Sequence, residues 1–309
     1  EKKKMSLNTL EEIAAYIVSE GKGILAADES NPTCGKRFDS IGVESTENNR
    51  RDYREMLFRS KGMKGNIGGV ILFDETIRQN AKDGTPLINI IEDQGALPGI
   101  KVDKGLQPIG DSEETVTVGL EGLDERLKEY AAMGAKFTKW RAVIKIGDGM
   151  PSQECIDANM KALADYAKLV QDNGMVPMVE PEVLMDGGHS IDDCYEATER
   201  SLQSLFTHLI ANEVNIKGTI LKPNMVTSGS TAEKQAGVQE VAEKTVDCLL
   251  KNVPASLPGI TFLSGGQSDI HATAHLDAMN KLGGLLWKVS FSYGRALQAA
   301  ALKAWKGKP

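Results

Sequence analysis

The sequence predicts an α/β protein built as one (β/α)8 barrel, the TIM-barrel fold. Three observations predict it. Short apolar runs recur along the chain, each is followed by a longer mixed or amphipathic segment, and the 309 residues suit one large barrel. The continuous apolar character of the short runs is typical of strands buried on both faces, as in a parallel sheet. The eight predicted strands are residues 23–27, 69–73, 99–102, 137–146, 176–179, 218–221, 260–263 and 287–291.

Helices are predicted between these strands. Segment 151–173 carries apolar residues at helical spacing, begins with Pro-Ser and ends at Asn-Gly. Segments 192–211 and 236–251 have similar patterns, and a further helix is expected at about 6–20. Alternating strands and helices indicate parallel βαβ units. An open doubly wound sheet is disfavoured because no G-x-G-x-x-G turn follows the first strand. With no linker-like tract, residues 1–309 are expected to form a single domain.

Composition limits the partners. The formal net charge of −7 argues against general binding to nucleic acid or to an anionic membrane, although a small anionic ligand needs only a few local cations. No stretch approaches the ~20 apolar residues of a membrane span. The four cysteines are scattered, and no hydrophobic signal-peptide core is present. We therefore expect reduced thiols and a cytoplasmic location, with a plastid location after removal of a transit peptide as the alternative.

Charged residues collect where the predicted strands end, which is where barrel active sites lie. Side chains two residues apart on a strand share a face, so both members of each i, i+2 pair point either into the barrel or toward the helices. Internal salt bridges are the structural interpretation of such charges. A functional site is favoured for the whole set because several buried charges are costly. The set comprises Asp28, Glu29, Lys101, Lys139, Arg141, Glu180, Glu182 and Lys222.

Lysines beside carboxylates in a barrel mouth favour imine chemistry. A lysine attacks a carbonyl only after losing its proton, which desolvation and a neighbouring cation promote. Lys222 is the best candidate nucleophile because it ends an apolar run and precedes Pro223. Lys139 is the expected neighbouring cation, and Glu180 and Glu182 are expected to move protons.

The segments after the last two strands have the composition of a phosphate site. Glycines let backbone N–H groups approach an anion, serines add hydroxyl donors, and an arginine binds phosphate through two bonds. A phosphate site formed by the seventh and eighth loops recurs in this fold. The residues are Ser264, Gly265 and Gly266 in one segment and Ser292, Gly294 and Arg295 in the other.

A zinc-dependent mechanism would require converging histidines. The chain has four, and only His271 and His275 lie at i, i+4 spacing. The segment lacks the glutamate of H-E-x-x-H and is interpreted as the solvated start of a helix. No metal and no cofactor is predicted.

The sequence resembles the class I fructose-bisphosphate aldolase family from about residue 21 to residue 306. The segments that carry the resemblance are GILAADES (23–30), GIKVDKG (99–105), KWR (139–141), VEPE (179–182), LKPNMV (221–226), FLSGGQS (262–268) and FSYGRALQ (291–298). Each alone is weak, whereas all seven in this order are specific.

The resemblance implies reversible cleavage of fructose 1,6-bisphosphate to dihydroxyacetone phosphate and glyceraldehyde 3-phosphate in glycolysis and gluconeogenesis. Lys222 would form the Schiff base, Glu180 would be the principal general acid/base with Glu182 and Lys139 in support, and Asp28 would accept the hydroxyl proton. The 1-phosphate would bind the two segments described above. The 6-phosphate side or sugar hydroxyls would lie near Ser30, Thr33, Arg37, Arg50, Lys101 and Arg141. Family members are commonly homotetramers, which implies a homo-oligomer.

Two departures and two rivals accompany this resemblance. The loop 31–35 differs from the animal type, and many members extend several dozen residues beyond KAW to a functional tyrosine, whereas this sequence reads to Pro309. Another imine-forming barrel, such as transaldolase or deoxyribose-phosphate aldolase, would not require two phosphate grips. A non-catalytic scaffold would be expected to have lost one of Lys222, Glu180, Asp28 or Lys139.

Overall fold

Eight parallel strands close into a barrel in this computed structural model, which describes residues 7–308. Around the barrel the hydrogen-bonded order is β1, β2, β3, β6, β7, β8, β9, β10 and back to β1. Two further strands, β4 and β5, form an antiparallel hairpin outside it. The strands are β1 (Gly23–Ala27), β2 (Ile67–Leu72), β3 (Leu97–Lys101), β4 (Leu106–Pro108), β5 (Thr115–Thr117), β6 (Phe137–Ile144), β7 (Val176–Val183), β8 (Ile220–Leu221), β9 (Gly259–Phe262) and β10 (Lys288–Tyr293).

Helices connect successive barrel strands and cover the outside of the sheet. The longest, α7 and α8, start at serine N-caps whose hydroxyls accept a backbone N–H of the first turn. The helices are α1 (Leu10–Ile17), α2 (Asn31–Asp39), α3 (Glu47–Phe58), α4 (Asp74–Ile77), α5 (Leu87–Asp93), α6 (Leu123–Met133), α7 (Gln153–Asp172), α8 (Ile191–Ala211), α9 (Val238–Asn252), α10 (Asp269–Leu282) and α11 (Arg295–Trp305).

The core has two parts because side chains alternate across each barrel strand. Outward residues such as Leu25, Trp140 and Val179 pack with the surrounding helices in the larger cluster. Inward residues at the N-terminal end of the strands, among them Ile24 and Phe137, pack with α1 in a separate cluster. Helix α1 therefore closes the N-terminal end of the barrel, and the inward positions near the other end are left for function.

The predicted barrel is confirmed, with differences at the strand ends. Strand β7 reaches Val183, four residues beyond its predicted end. The predicted strand 218–221 begins instead with a 3-10 turn (Ile216–Gly218), and only Ile220–Leu221 is strand. The β4–β5 hairpin was not predicted, because neither of its three-residue strands is an apolar run. Helix α1 spans Leu10–Ile17, within the longer segment 6–20 expected from the pattern.

Candidate active site

The charged side chains lie inside the barrel because they continue the inward positions of their strands. On β6, Phe137 points into the barrel and packs in the cluster around α1. Lys139, two residues later, therefore also points inward. On β7, Met178 belongs to the same cluster around α1, so Glu180, two residues later, also points inward. Lys222 continues the pairing of β8, since its N–H donates to the carbonyl oxygen of Val179 at 2.9 Å. The inward interpretation of the i, i+2 pairs is confirmed.

These side chains line one cavity of about 660 Å³ at the C-terminal ends of the strands. Seven basic and five acidic side chains line it, so the cavity is cationic although the chain as a whole is acidic. Fifteen of the seventeen predicted site residues contribute to its wall: Asp28, Ser30, Thr33, Arg37, Lys101, Lys139, Arg141, Glu180, Glu182, Lys222, Ser264, Gly265, Ser292, Gly294 and Arg295.

Glu180 lies between two lysines on the cavity floor. Its Oε1 is 3.2 Å from Lys222 Nζ, and its Oε2 is 3.3 Å from Lys139 Nζ. Lys139 Nζ is also 2.7 Å from Asp28 Oδ2. Lys139, Glu180 and Lys222 are each about 4 % exposed. The four groups form a chain of alternating charge in a setting that excludes most solvent.

The alternating charges keep Asp28, Glu180 and Lys139 ionised despite burial. Burial alone would raise the pKa of the Asp28 carboxyl, but the cations Lys139 and Lys222 outweigh it and lower that pKa to about 2. Burial likewise opposes ionisation of Glu180, and Lys139 and Lys222 lower its pKa. Burial also opposes the charge on Lys139, whereas Asp28 and Glu180 raise its pKa above the usual lysine range. Lys139 therefore stays a cation at neutral pH.

A second tier of ion pairs surrounds the floor. Glu182 pairs with the guanidinium of Arg141. Lys101 Nζ lies 2.6 Å from Asp103 Oδ1, and the other oxygen of Asp103 accepts the backbone N–H of Arg141 at 3.2 Å. Asp103 was not among the predicted site residues. Its spacing of two residues from Lys101 was the available signal, because it is the same spacing that marked the pairs on β6 and β7.

Glu29 organises the wall nearest α2 and α11. Its carboxylate pairs with Arg37 and accepts hydrogen bonds from Arg54 Nη2 at 3.1 Å and Gln298 Nε2 at 2.8 Å. Arg54 is fully buried, so Glu29 supplies the countercharge that such a cation requires. Arg54 and Gln298 were missed because neither lies at a strand end, and only the fold brings them to Glu29.

The two predicted phosphate segments lie side by side at the mouth, because they follow the neighbouring strands β9 and β10. Gly265 and Gly266 have φ values of +61° and +89°, a region that favours glycine. A side chain at Gly266 would lie 3.4 Å from Arg295 Nη2, so the backbone of the first segment passes close to that guanidinium. Within residues 7–308, Arg295 takes part in no ion pair, and the buried hydroxyl of Ser292 has no hydrogen-bond partner. Unpaired donors in a cationic recess suit an anion.

Two predicted substrate residues lie outside the cavity wall. Arg50 is buried behind it, where its guanidinium makes hydrogen bonds of 2.8 and 2.6 Å to Glu75 and one of 2.6 Å to the carbonyl oxygen of Ser45. Those contacts already use most of its donors, so Arg50 is held as a structural ion pair. Gly266 is not a wall residue but adjoins one, as its distance to Arg295 shows.

The histidine-containing helix differs from its prediction. His271 is exposed as expected, but the prediction of a solvated side chain was wrong for His275, which is buried and bonds to Gln267. In the described part of the chain, no three His, Cys, Asp or Glu side chains are grouped so that they could hold a metal ion. Of the helices within residues 7–308, none has the length and apolarity to cross a membrane.

A buried lysine–carboxylate chain at the mouth of a parallel barrel suits an enzyme that forms an imine through a lysine. Comparison with known proteins identifies the family within this class of enzymes. The profile of the family "Fructose-bisphosphate aldolase class-I" matches residues 9–309. The "probable fructose-bisphosphate aldolase class 1" of Xanthomonas campestris pv. campestris is 58 % identical over 302 residues, which cover 97 % of this chain and 90 % of the relative.

Eukaryotic relatives agree. "Fructose-bisphosphate aldolase 6, cytosolic" of Arabidopsis thaliana is 52 % identical over 297 residues, covering 96 % of this chain and 83 % of the plant protein. The structure of the Plasmodium falciparum fructose-bisphosphate aldolase in complex with TRAP and a small-molecule inhibitor superposes with a TM-score of 0.95 at 47 % identity. That match covers 97 % of this chain and 87 % of the other.

The chain belongs to the class I fructose-bisphosphate aldolase family. It is a metal-independent lyase, and the reaction of its family is the reversible cleavage of fructose 1,6-bisphosphate through a lysine Schiff base.

Proposed function

We propose that Lys222 is the lysine that forms the Schiff base and that Glu180 moves its protons. The observation that carries this proposal is the 3.2 Å contact between Lys222 Nζ and Glu180 Oε1 on a floor closed to most solvent. Lys222 must give up a proton before its nitrogen can attack the ketose C2, and Glu180 is the carboxylate in contact with it. Glu182 and Lys139 support charge and proton transfer around that pair.

The change of charge at Lys222 gives Glu180 both acid and base roles. When the ammonium of Lys222 loses its proton, one of the cations that hold the pKa of Glu180 low disappears, and that pKa rises. Protonated Glu180 then donates to the carbinolamine hydroxyl, the C2–O bond breaks as water leaves, and the nitrogen lone pair forms the double bond to C2. The resulting iminium accepts the electron pair of the C3–C4 bond when that bond breaks.

Asp28 is proposed as the base for bond cleavage. It accepts the proton of the C4 hydroxyl, the C4–O bond becomes the aldehyde carbonyl, and the C3–C4 electrons move into the iminium to form an enamine. The low pKa of Asp28, about 2, keeps it ionised and ready to accept that proton. Lys139, 2.7 Å from Asp28, retains its charge throughout and compensates the buried carboxylates.

The two ends of the cavity suit the two phosphates. We assign the 1-phosphate to Ser264, Gly265, Gly266, Ser292, Gly294 and Arg295, supported by the unpaired Arg295 and Ser292 groups. The other cavity residues Ser30, Thr33, Arg37, Lys101 and Arg141 are assigned to the 6-phosphate and sugar hydroxyls. There the Ser30 and Thr33 hydroxyls lie 3.0 Å apart. Arg50, bound to Glu75, is proposed to support this part of the cavity rather than to contact substrate.

Borohydride trapping tests the nucleophile. The wild-type protein, reduced in the presence of fructose 1,6-bisphosphate, is expected to carry the adduct on Lys222. Lys222→Met is expected to lose both cleavage and trapping because methionine retains an unbranched stem but forms no imine. An adduct on Lys139 or Lys101 would show that this lysine, and not Lys222, is the nucleophile. Cleavage that requires a second aldose acceptor would favour a transaldolase-type reaction.

We also propose a cytoplasmic, homo-oligomeric enzyme folded as one domain. The plant relative named as cytosolic supports the location, and family resemblance supports a tetramer. Sedimentation of the purified protein tests the assembly, since a monomer at micromolar concentration would contradict it. A single unfolding transition in calorimetry would support one domain.

A further inference from the structure

Helix α10 contacts both segments that we assign to the 1-phosphate. One contact reaches the Ser264–Gly266 segment through Gln267, and the other reaches the Ser292–Gly294 segment through Tyr293. The residues of α10 that make these contacts, Ala272 and His275, are three apart and therefore share one face of the helix. Both are buried.

The first contact orders the glycine turn through a defined chain of hydrogen bonds. The carbonyl oxygen of Ser264 accepts the backbone N–H of Gln267 and also its side-chain Nε2, each at 3.0 Å. With Nε2 committed to Ser264, the Oε1 of Gln267 faces His275 Nδ1 at 2.6 Å. An amide oxygen only accepts, so Nδ1 of His275 must carry the proton. His275 thereby determines the orientation of the Gln267 amide.

The second contact orders the other segment, Ser292–Gly294. The Tyr293 hydroxyl donates to the backbone carbonyl oxygen of Ala272 at 2.8 Å, and its ring is buried. Tyr293 lies between Ser292 and Gly294 in the chain, so this bond holds the end of β10 against α10. Neither His275 nor Tyr293 lines the cavity.

We propose that α10 is a shared brace for the phosphate recess, with Gln267, His275 and Tyr293 as positioning residues for 1-phosphate binding. The inference rests on the proposed assignment of that recess. Its physical basis is preorganisation. Gly265 and Gly266 occupy left-handed backbone conformations, and glycine loses more conformational freedom than other residues when it is ordered. Hydrogen bonds that restrain the turn before substrate arrives reduce the cost of ordering it on binding.

Matched substrates distinguish this role from general support of the fold. Fructose 1,6-bisphosphate and fructose 1-phosphate share the 1-phosphate, and only the first has a 6-phosphate. His275→Ala is expected to raise KM for both by the same factor, about three- to tenfold, the effect of one lost hydrogen bond, with kcat unchanged. Tyr293→Phe, which removes only the hydroxyl, is expected to raise both KM values in the same way.

Two variants serve as controls. His275→Asn is expected to restore KM to near the wild-type value because its amide nitrogen can replace Nδ1 as the donor. His271→Ala removes the exposed histidine of the same helix and is expected to leave both KM values unchanged. Where His275→Ala does not fold, Gln267→Met, which retains the side-chain length without the amide, replaces it in the comparison.

The outcomes separate the two proposals. Unchanged KM values in both His275→Ala and Tyr293→Phe, or an increase confined to fructose 1,6-bisphosphate, would overturn the brace. A fall in melting temperature with both KM values unchanged would likewise overturn it. Failure of the wild-type protein to form a borohydride-trapped adduct at Lys222 would instead count against the proposed catalytic assignment.

Discussion

Glu180 contacts Lys222 through one carboxylate oxygen, at 3.2 Å, and its other oxygen is 3.3 Å from a second lysine, Lys139. One carboxylate therefore touches both the proposed nucleophile, Lys222, which must lose its charge before it can attack a carbonyl, and a lysine that remains charged. This arrangement couples the charge of Lys222 to the pKa of Glu180.

Glu180→Gln is expected to lower kcat by about a hundred- to ten-thousandfold, the usual contribution of general acid–base catalysis. Glutamine keeps the shape of the side chain but accepts no proton from Lys222. The measurement is single-turnover imine formation, followed by borohydride trapping. Glu182→Gln is the matched control, since Glu182 pairs with Arg141 instead of Lys222. A larger loss in the control would assign the main proton relay to Glu182.

Lys139→Met is expected to introduce a pH dependence that the wild-type protein lacks. Asp28 has a folded-state pKa of about 2 against an ordinary 3.8, so it stays ionised in the wild type above about pH 4. Without Lys139, burial is less opposed and the pKa of Asp28 rises. The variant is therefore expected to lose kcat/KM as pH falls from about 7 to about 4. Lys101→Met removes a weaker influence on the pKa of Asp28, so it is expected to cause a smaller loss of kcat/KM at acidic pH.

The same substitution is expected to change stability against acid. Because the folded-state pKa of Asp28 is depressed, its contribution is present above the unfolded-state pKa near 3.8 and is lost as pH falls through about 2. Removing Lys139 leaves two buried carboxylates short of a cation, which costs on the order of 3–5 kcal/mol for a broken buried pair. Denaturant unfolding of the wild type and the variant at neutral and acidic pH measures this loss in the free energy of unfolding. An unchanged midpoint would show that Asp28 and Glu180 find other partners.

Arg295→Ala and Arg50→Ala are expected to have opposite signatures. Charge-assisted bonds to phosphate contribute about 1.5–3 kcal/mol, so loss of Arg295 is expected to raise KM about ten- to a hundredfold with little effect on stability. Loss of Arg50 breaks its paired hydrogen bonds to Glu75 and is expected to lower stability with KM nearly unchanged. KM and melting temperature, measured on both variants, make the comparison. A large KM effect at Arg50 would return it to the substrate site.

Cleavage is expected to survive prolonged chelation. The imine of a class I aldolase withdraws electrons from the breaking C3–C4 bond, a task that a metal would otherwise perform as a Lewis acid. Activity before and after dialysis against a chelator provides the measurement. Loss of turnover that zinc restores would contradict the Schiff-base mechanism.

Most of the cavity floor was predictable because its residues are adjacent to strong local patterns. Lys139, Glu180 and Lys222 each continue an apolar strand, and the inward side of a barrel strand follows from alternation. Prediction failed where the pattern carried no information about tertiary position. Arg50 belongs to a helix with a normal polar surface, and only packing against Glu75 removes it from the cavity. His275 looked solvated for the same reason, since its burial depends on Gln267 and the neighbouring elements.

The sequence by itself determined the alternation of strands and helices, the closed parallel barrel, and the candidate residues at the strand ends, because hydrophobic period and strand alternation are local properties of the chain. Tertiary structure alone decided which charges pair. Glu180 faces Lys222 and Lys139 because β6, β7 and β8 are neighbours, Glu29 meets Arg54 and Gln298 from distant segments, and α10 reaches both phosphate segments. Such contacts depend on distances between elements, and the pKa values of buried groups depend on those distances in turn.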